Sequence, residues 1–252
     1  MAMIADSAIL VTGGNRGIGR ALVEEALRRG ARRVYLGTRT PLTHADPRVV
    51  PLALDVTDPA QVQGAVEKVE SLDVLVNNAG VALYDDLSDL AAIERSLAVN
   101  FYGTHGVIRA FLPLLTRSHG AIVNNLSVNA FAPLPLIPSY SISKAATFSL
   151  TQSLRAILAR RGIAVHAILT GIVDTDMSRG VDIPKASPDA VARAIYDGVE
   201  QGLEEIFPDP MAETMEKSWR EGAGKVLERQ YAKLYEETTY ESAPVGQEAS
   251  AS

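Results

Sequence analysis

Between Thr12 and Gly30 the chain reads TGGNRGIGRALVEEALRRG, with four glycines in the seven positions from Gly13 to Gly19. Backbone that must approach a ligand closely and present several N–H groups at a helix N-terminus needs residues without a Cβ. The partial positive charge there favours a phosphate. The loop therefore reads as a pyrophosphate cradle, with a tight strand-to-helix turn as the plainer alternative. Other chemistries are narrowed by what is missing. Without cysteine there are no disulfides, no thiolate catalysis and no cysteine-bound metal. His44, His105, His119 and His166 lie far apart and show no HxxxH or HExxH spacing, so they read as structural or surface residues and no metal site is expected.

The elements that must position such a loop follow from periodicity. Apolar or β-branched runs at 8–12, 33–37, 49–54, 73–77, 121–127 and 164–169 alternate with stretches of helical period. Strands alternating with helices imply a parallel sheet covered on both faces. Asp58-Pro59 and Ser187-Pro188 each offer an N-cap followed by proline at the first helical position, and Gly30 closes the first helix. At 252 residues and 47% hydrophobic, the chain can bury a full core, and we take it as one domain. A last strand is expected in 204–209, and residues 1–209 are read as the ligand-binding and catalytic domain. Residues 210–240 read as a helical extension packed on that domain, and the small polar end 241–252 as a disordered tail. The net charge of -6 is spread along the chain, with basic residues clustered only from Arg28 to Arg33, so no nucleic-acid partner is expected. The start, MAMIADSAILVTGG, lacks a charged leader and a long apolar run, which reads as a soluble cytoplasmic protein without a membrane partner.

The glycine spacing is TGxxxGxG, with Gly13, Gly17 and Gly19 in the glycine places, and differs from the GxGxxG of the general dinucleotide fold. Further on come NNAG (77–80), AVNFYGT around Asn100, NNLS ending at Ser127, and YSISK (140–144), in that order. Together these motifs resemble the short-chain dehydrogenase/reductase family from about residue 8 to about residue 209. The resemblance implies an α/β, single-domain, Rossmann-like, doubly wound parallel sheet with helices on both faces. It also implies an NADP(H)-dependent oxidoreductase that reduces a ketone or aldehyde reversibly.

The same resemblance places a catalytic tetrad on Asn100, Ser127, Tyr140 and Lys144. Reducing a ketone needs an acid within hydrogen-bond reach of its oxygen, and Tyr140 takes that part. A phenol titrates near ~10, so a nearby cation is wanted, and Lys144 stands one helical turn along on the same face. Ser127 would hold the substrate oxygen, and Asn100 a water that links Lys144 to solvent. Taken singly, these residues are ordinary caps and an ordinary exposed Tyr–Lys pair. For the cofactor the resemblance implies Gly13, Asn15, Arg16, Gly17, Ile18 and Gly19 at the pyrophosphate and Asp55 and Val56 beside the adenine. Asn78, Ala79, Gly80, Tyr140, Lys144, Gly171 and Val173 fall toward the nicotinamide and Thr175 toward the nicotinamide or a phosphate, while Asn77 braces neighbouring strands. Thr170-Gly171 stands where the family often has Pro-Gly, so that turn is expected to be less rigid.

Cofactor choice rests on the second strand, where NAD-preferring members carry an acid that would repel a 2′-phosphate. Here Thr38 occupies that place, followed by Arg39, and Arg16 is expected to converge with Arg39 on the phosphate. Solvated surface charges are the bland alternative. Residues 129–140 carry Phe131, Leu134, Leu136 and Ile137 up to Tyr140 and read as the wall of an apolar pocket for a small carbonyl or alcohol substrate. The short stretch after Met177 implies an open site. Apolar faces in 89–117 and 140–161 imply a homodimer or homotetramer, unless those faces only cover the sheet. The alternative to an enzyme is a catalytically silent NADP(H)-binding regulatory or scaffold protein.

Overall fold

The structure, a computed structural model, describes residues 3–40 and 42–237. Its strands are β1 (Ala8–Thr12), β2 (Arg33–Thr38), β3 (Val49–Ala53), β4 (Val74–Asn77), β5 (Ala121–Asn125), β6 (Ala164–Ile168) and the short β7 (Glu205–Ile206). They form one parallel sheet in the order β3-β2-β1-β4-β5-β6-β7. The helices are α1 (Gly17–Arg28), α2 (Pro59–Val66), α3 (Leu90–Leu97), α4 (Thr104–Ser118), α5 (Pro138–Ala159), α6 (Pro188–Glu200), α7 (Pro210–Arg220) and α8 (Ala223–Glu237).

Because side chains alternate along a strand, β1 feeds two cores. Ile9 and Val11 pack with Leu22 of α1 and Val191 and Ile195 of α6. Ala8 and Leu10 face the other way, onto Val62 of α2, Phe111 of α4 and Leu158 of α5. All of β1 is buried, as a central parallel strand covered on both faces must be. Reversal of strand order between β1 and β4 opens a crevice at the carboxyl ends of the strands, where ligands bind in such sheets.

Local signals match the ends of most helices. Asp58 caps α2 and Ser187 caps α6 through their side chains, with proline at the start of each helix, and Gly30 follows α1 at φ +83. Two expectations are corrected. The helical stretch 89–117 is interrupted by π-helical backbone at Ala98–Gly103, where Gly103 lies against Val56; a Cβ on Gly103 would sit 2.7 Å from Val56 Cγ2. The fifth strand stops at Asn125, so Ser127 lies in the turn beyond it.

Beyond β7 the chain is helical through Glu237. The expected tail 241–252, with residues 238–240 of the expected extension, lies outside the described residues. Trp219 of α7 stacks on Phe131, with ring centres 4.6 Å apart. On α8, buried Lys225 lies 3.0 Å from both Glu205 of β7 and Glu228 of its own helix. Arg155 of α5 joins the same cluster, 2.9 Å from Glu205. Part of the α5 face expected to be free for a second subunit is thus taken by α8. Among the described residues no helix is long and apolar enough to cross a membrane.

Candidate active site

The glycine loop is shaped by close packing. A Cβ on Gly19 would lie 2.2 Å from the carbonyl oxygen of Gly13, and one on Gly13, itself at φ +67, would lie 3.0 Å from Ala79 Cα. Thr12 locks the loop to NNAG: its hydroxyl accepts from the backbone N–H groups of Asn78 at 2.9 Å and Ala79 at 3.0 Å. Asp58, Asp89, Ser187 and Asp209 cap their helices, but Arg16 caps α1 with no side-chain bond and the first turn of α1 has no acid. The first N–H groups of α1 are left for an anion, which is the feature a pyrophosphate requires. Asn15 and Arg16 are exposed there, while Ile18 packs onto the first core.

From this loop a chain of hydrogen bonds runs to the tetrad. Asn78 donates to the carbonyls of Thr12 at 3.1 Å and Gly13 at 3.2 Å, and its Oδ1 accepts from Asn125 Nδ2 at 2.9 Å. The carbonyl of Asn125 in turn accepts from Lys144 Nζ at 2.7 Å. Asn77 braces the sheet by donating to Asn124 Oδ1 at 2.9 Å. Gly80 faces the same place: a Cβ there would lie 3.2 Å from Asn100 Oδ1 and 3.8 Å from Lys144 Nζ.

All four tetrad residues are buried, with exposures of 2% for Asn100, 5% for Ser127, 8% for Tyr140 and 6% for Lys144. An ordinary exposed Tyr–Lys pair is therefore not what the fold makes of YSISK. Lys144 Nζ lies 5.5 Å from the centre of the Tyr140 ring. Burial pushes the Tyr140 phenol up to about 12, against a downward pull from the hydroxyl of Ser127. Burial also pulls Lys144 down to about 8. In the protein alone, loss of water around each group sets the direction of both shifts. The phenol consequently stays protonated throughout the neutral range.

Asn100 is tied to its neighbours on both sides. Its Nδ2 donates to the carbonyl of Val81 at 2.9 Å and to Ser143 Oγ at 2.8 Å, and its Oδ1 accepts from Val81 N at 2.9 Å. With its side chain engaged on protein partners, Asn100 braces the loop after NNAG against α5. Ser127 Oγ donates to the carbonyl of Thr170 at 3.2 Å and accepts from Asn129 N at 3.2 Å. The turn at Thr170 is not loose, because Thr170 Oγ1 donates to the carbonyl of Leu126 at 3.0 Å and Gly171 N donates to buried Asp209 at 2.7 Å. Val173 is buried and bridges to Ala186, and Thr175 caps the short turn Asp176–Ser178, its methyl 3.1 Å from the place of a Cβ on Gly17.

At the far end of the crevice, Thr38 is buried and its hydroxyl donates to the carbonyl of Thr40 at 3.0 Å. Arg39 is exposed near Asp55, whose carboxyl is held below its ordinary range chiefly by hydrogen bonds from Thr57, with help from Arg39. Arg16 is 67% exposed and pairs with Asp176 at 3.2 Å. Arg16 thus has a carboxylate partner within the protein, and Arg39 lies near another. Phe131 is half-buried and packs with Trp219 and Phe148, while Leu134 and Leu136 are exposed. Sequence reasoning missed Trp219, which carries no local signal, Asp209, which with Pro210 repeats the cap-and-proline signal of Asp58 and Ser187, and Thr12 and Asn125, which sat unremarked inside quoted motifs.

The family model described as short chain dehydrogenase matches residues 7–185. An uncharacterized oxidoreductase of Staphylococcus epidermidis is 34% identical over 200 residues, covering 72% of this chain and 84% of that protein. A sorbitol dehydrogenase of Cereibacter sphaeroides is 36% identical over 189 residues, covering 69% of this chain and 73% of that protein. A crystal structure of a short chain dehydrogenase from Burkholderia cenocepacia in complex with NADP superposes with a TM-score of 0.83 at 36% identity, covering 90% of this chain and 98% of that one. The matched span runs from just before the glycine loop past Tyr140 and Lys144 to the turn at Gly171, and on it we conclude that this chain belongs to the short-chain dehydrogenase family.

Proposed function

We propose that the chain is an NADPH-dependent carbonyl reductase, reversible as an alcohol dehydrogenase, with Tyr140 as the proton donor. The observation that carries this reading is the buried Tyr140–Lys144 pair, joined through Asn125 and Asn78 to a glycine loop at an uncapped helix end. The first turn of α1, with Gly13, Asn15, Arg16, Gly17, Ile18 and Gly19, would hold the pyrophosphate. Asp55 and Val56 would line the adenine, and Asn78, Ala79, Gly80, Gly171, Val173 and Thr175 the nicotinamide side. Thr38, which brings no charge against a 2′-phosphate, and the cations Arg39 and Arg16 favour NADP over NAD. When bound, the cofactor supplies the hydride.

The chain's own residues do the rest. Ser127 orients the carbonyl oxygen, and Tyr140 gives it the phenolic proton as negative charge develops. Lys144, whose amine is already eased toward neutrality, returns a proton to Tyr140. The exposed Leu134 and Leu136, leading to Tyr140, favour an apolar substrate. Ile142 and Ile157 remain exposed on α5 and favour pairing with a second copy. Steady-state turnover of a panel of ketones with NADPH and with NADH tests the reading. Reduction with a clear NADPH preference is expected; tight NADPH binding with no turnover of any carbonyl compound would make the chain a silent cofactor-binding protein.

A further inference from the structure

The helix that carries Tyr140 and Lys144 is capped from a distance. Ile137 occupies the N-cap position of α5 and has no acceptor to offer, and Pro138 follows it. In its place Asp85, from the loop after β4, reaches across: Oδ1 accepts from Ser139 Oγ at 2.9 Å and Oδ2 from Ser139 N at 3.4 Å. Ser139 is fully buried and directly precedes Tyr140. The same Oδ1 accepts from Leu87 N at 3.1 Å. Leu87 stands at φ +66, a region that residues with bulky side chains avoid and that persists only where neighbours enforce it.

Tyr140 is fixed from the other side too, since its carbonyl accepts from Ser143 Oγ at 2.6 Å, and Ser143 is held by Asn100. The backbone on either side of Tyr140 is therefore clamped by one residue from each end of the loop-and-helix segment 81–100. A carboxylate at a helix N-terminus also complements the helix dipole. We propose that Asp85 is a positioning residue for the proton donor, setting the first turn of α5, and hence the Tyr140 hydroxyl, against the reacting carbonyl. The proposal rests on Tyr140 being the donor, and the experiment separates the two.

The full chain, with NADPH and a ketone that it reduces, is compared with Asp85→Ala, Asp85→Asn, Ser139→Ala and the double Asp85→Ala/Ser139→Ala variant, with Tyr140→Phe alongside. Small misplacements of a reacting group cost one to two orders of magnitude, so Asp85→Ala is expected to lower kcat by about thirtyfold while KM for NADPH changes by less than about twofold. Asp85→Asn keeps an acceptor for the Ser139 hydroxyl and is expected to recover kcat to within about threefold of wild type. The double variant should be no slower than Asp85→Ala alone, because the hydroxyl contact that Ser139→Ala removes is already lost without Asp85. If Asp85→Ala does not fold, Ser139→Ala carries the test, with kcat down by about fivefold in a protein that still unfolds cooperatively. Wild-type kcat in the folded Asp85 or Ser139 alanine variant, independent losses in the double variant, or equal losses in kcat and NADPH affinity would overturn the proposal. An active Tyr140→Phe protein would overturn the reading beneath it instead.

Discussion

The two ends of the hydrogen-bonded chain between Gly13 and Lys144 are built on different physics. At the glycine loop the working groups are backbone N–H groups, and the sequence has only to remove side chains: a Cβ on Gly19 would meet the Gly13 carbonyl at 2.2 Å. At Tyr140 the working groups are side chains stripped of water, which raises the phenol and lowers the amine from their ordinary values. The first end is a matter of room. The second is a matter of charge and solvation, and it weighs on stability.

The comparison breaks most visibly at the loop. Gly19→Ala is expected to destabilise the fold by about 3 kcal/mol through overpacking and to abolish measurable NADPH binding. Wild-type binding by calorimetry in that variant would show that the loop is not under steric control.

The opposite sign is expected at the other end. Lys144 is easier to deprotonate in the folded state, at about 8, than in the unfolded chain. Between that value and the unfolded one near ~10.4, the unfolded state binds more protons, so this group's contribution to stability rises with pH there. Below about pH 8 the folded state carries the full cost of a buried ammonium. Lys144→Met should therefore be more stable than wild type at pH 7, by roughly 2 kcal/mol, and should lose the gain between pH 8 and 10, while its turnover collapses. Denaturant unfolding across that pH range checks it; a variant less stable than wild type at pH 7 would contradict the assignment.

How much of this was legible follows from where each partner sits in the chain. The bounds of β1, the caps at Asp58 and Ser187 and the glycine loop could be read because their determinants are local: alternation, a capping oxygen beside a proline, a missing Cβ. The end of β5 could not, because Leu126 stays buried and its N–H still bonds to Ile168 of β6 after the strand itself has ended. The tetrad was legible as a motif, but its electrostatics were not, since desolvation depends on what the whole fold stacks around Tyr140. Asp85 lies 54 residues from the serine it holds, and Asp209 lies 38 from Gly171, and no window of sequence links such pairs. Trp219 likewise meets Phe131 only once α7 is in place.

The smallest effect sharpens the cofactor end. Arg16 is held by Asp176 in an exposed pair, which is worth little, and a bound 2′-phosphate would compete for it. Arg16→Ala with Arg39→Ala is expected to weaken NADPH binding by about tenfold or more and to leave NADH nearly unchanged, and the difference should shrink as salt rises. Asp176→Asn, which releases Arg16, should tighten NADPH binding by no more than about threefold. Equal losses for the two cofactors in the double variant would return both arginines to the solvent surface.

The central claim, that Tyr140 gives the proton while other residues supply most of the hold on the cofactor, is tested most directly by Tyr140→Phe, with NADPH affinity and ketone reduction measured on the same preparation. The account predicts NADPH binding within about threefold of wild type and kcat lowered by at least about a thousandfold. Turnover near the wild-type rate, in a folded protein that still binds NADPH, would contradict it.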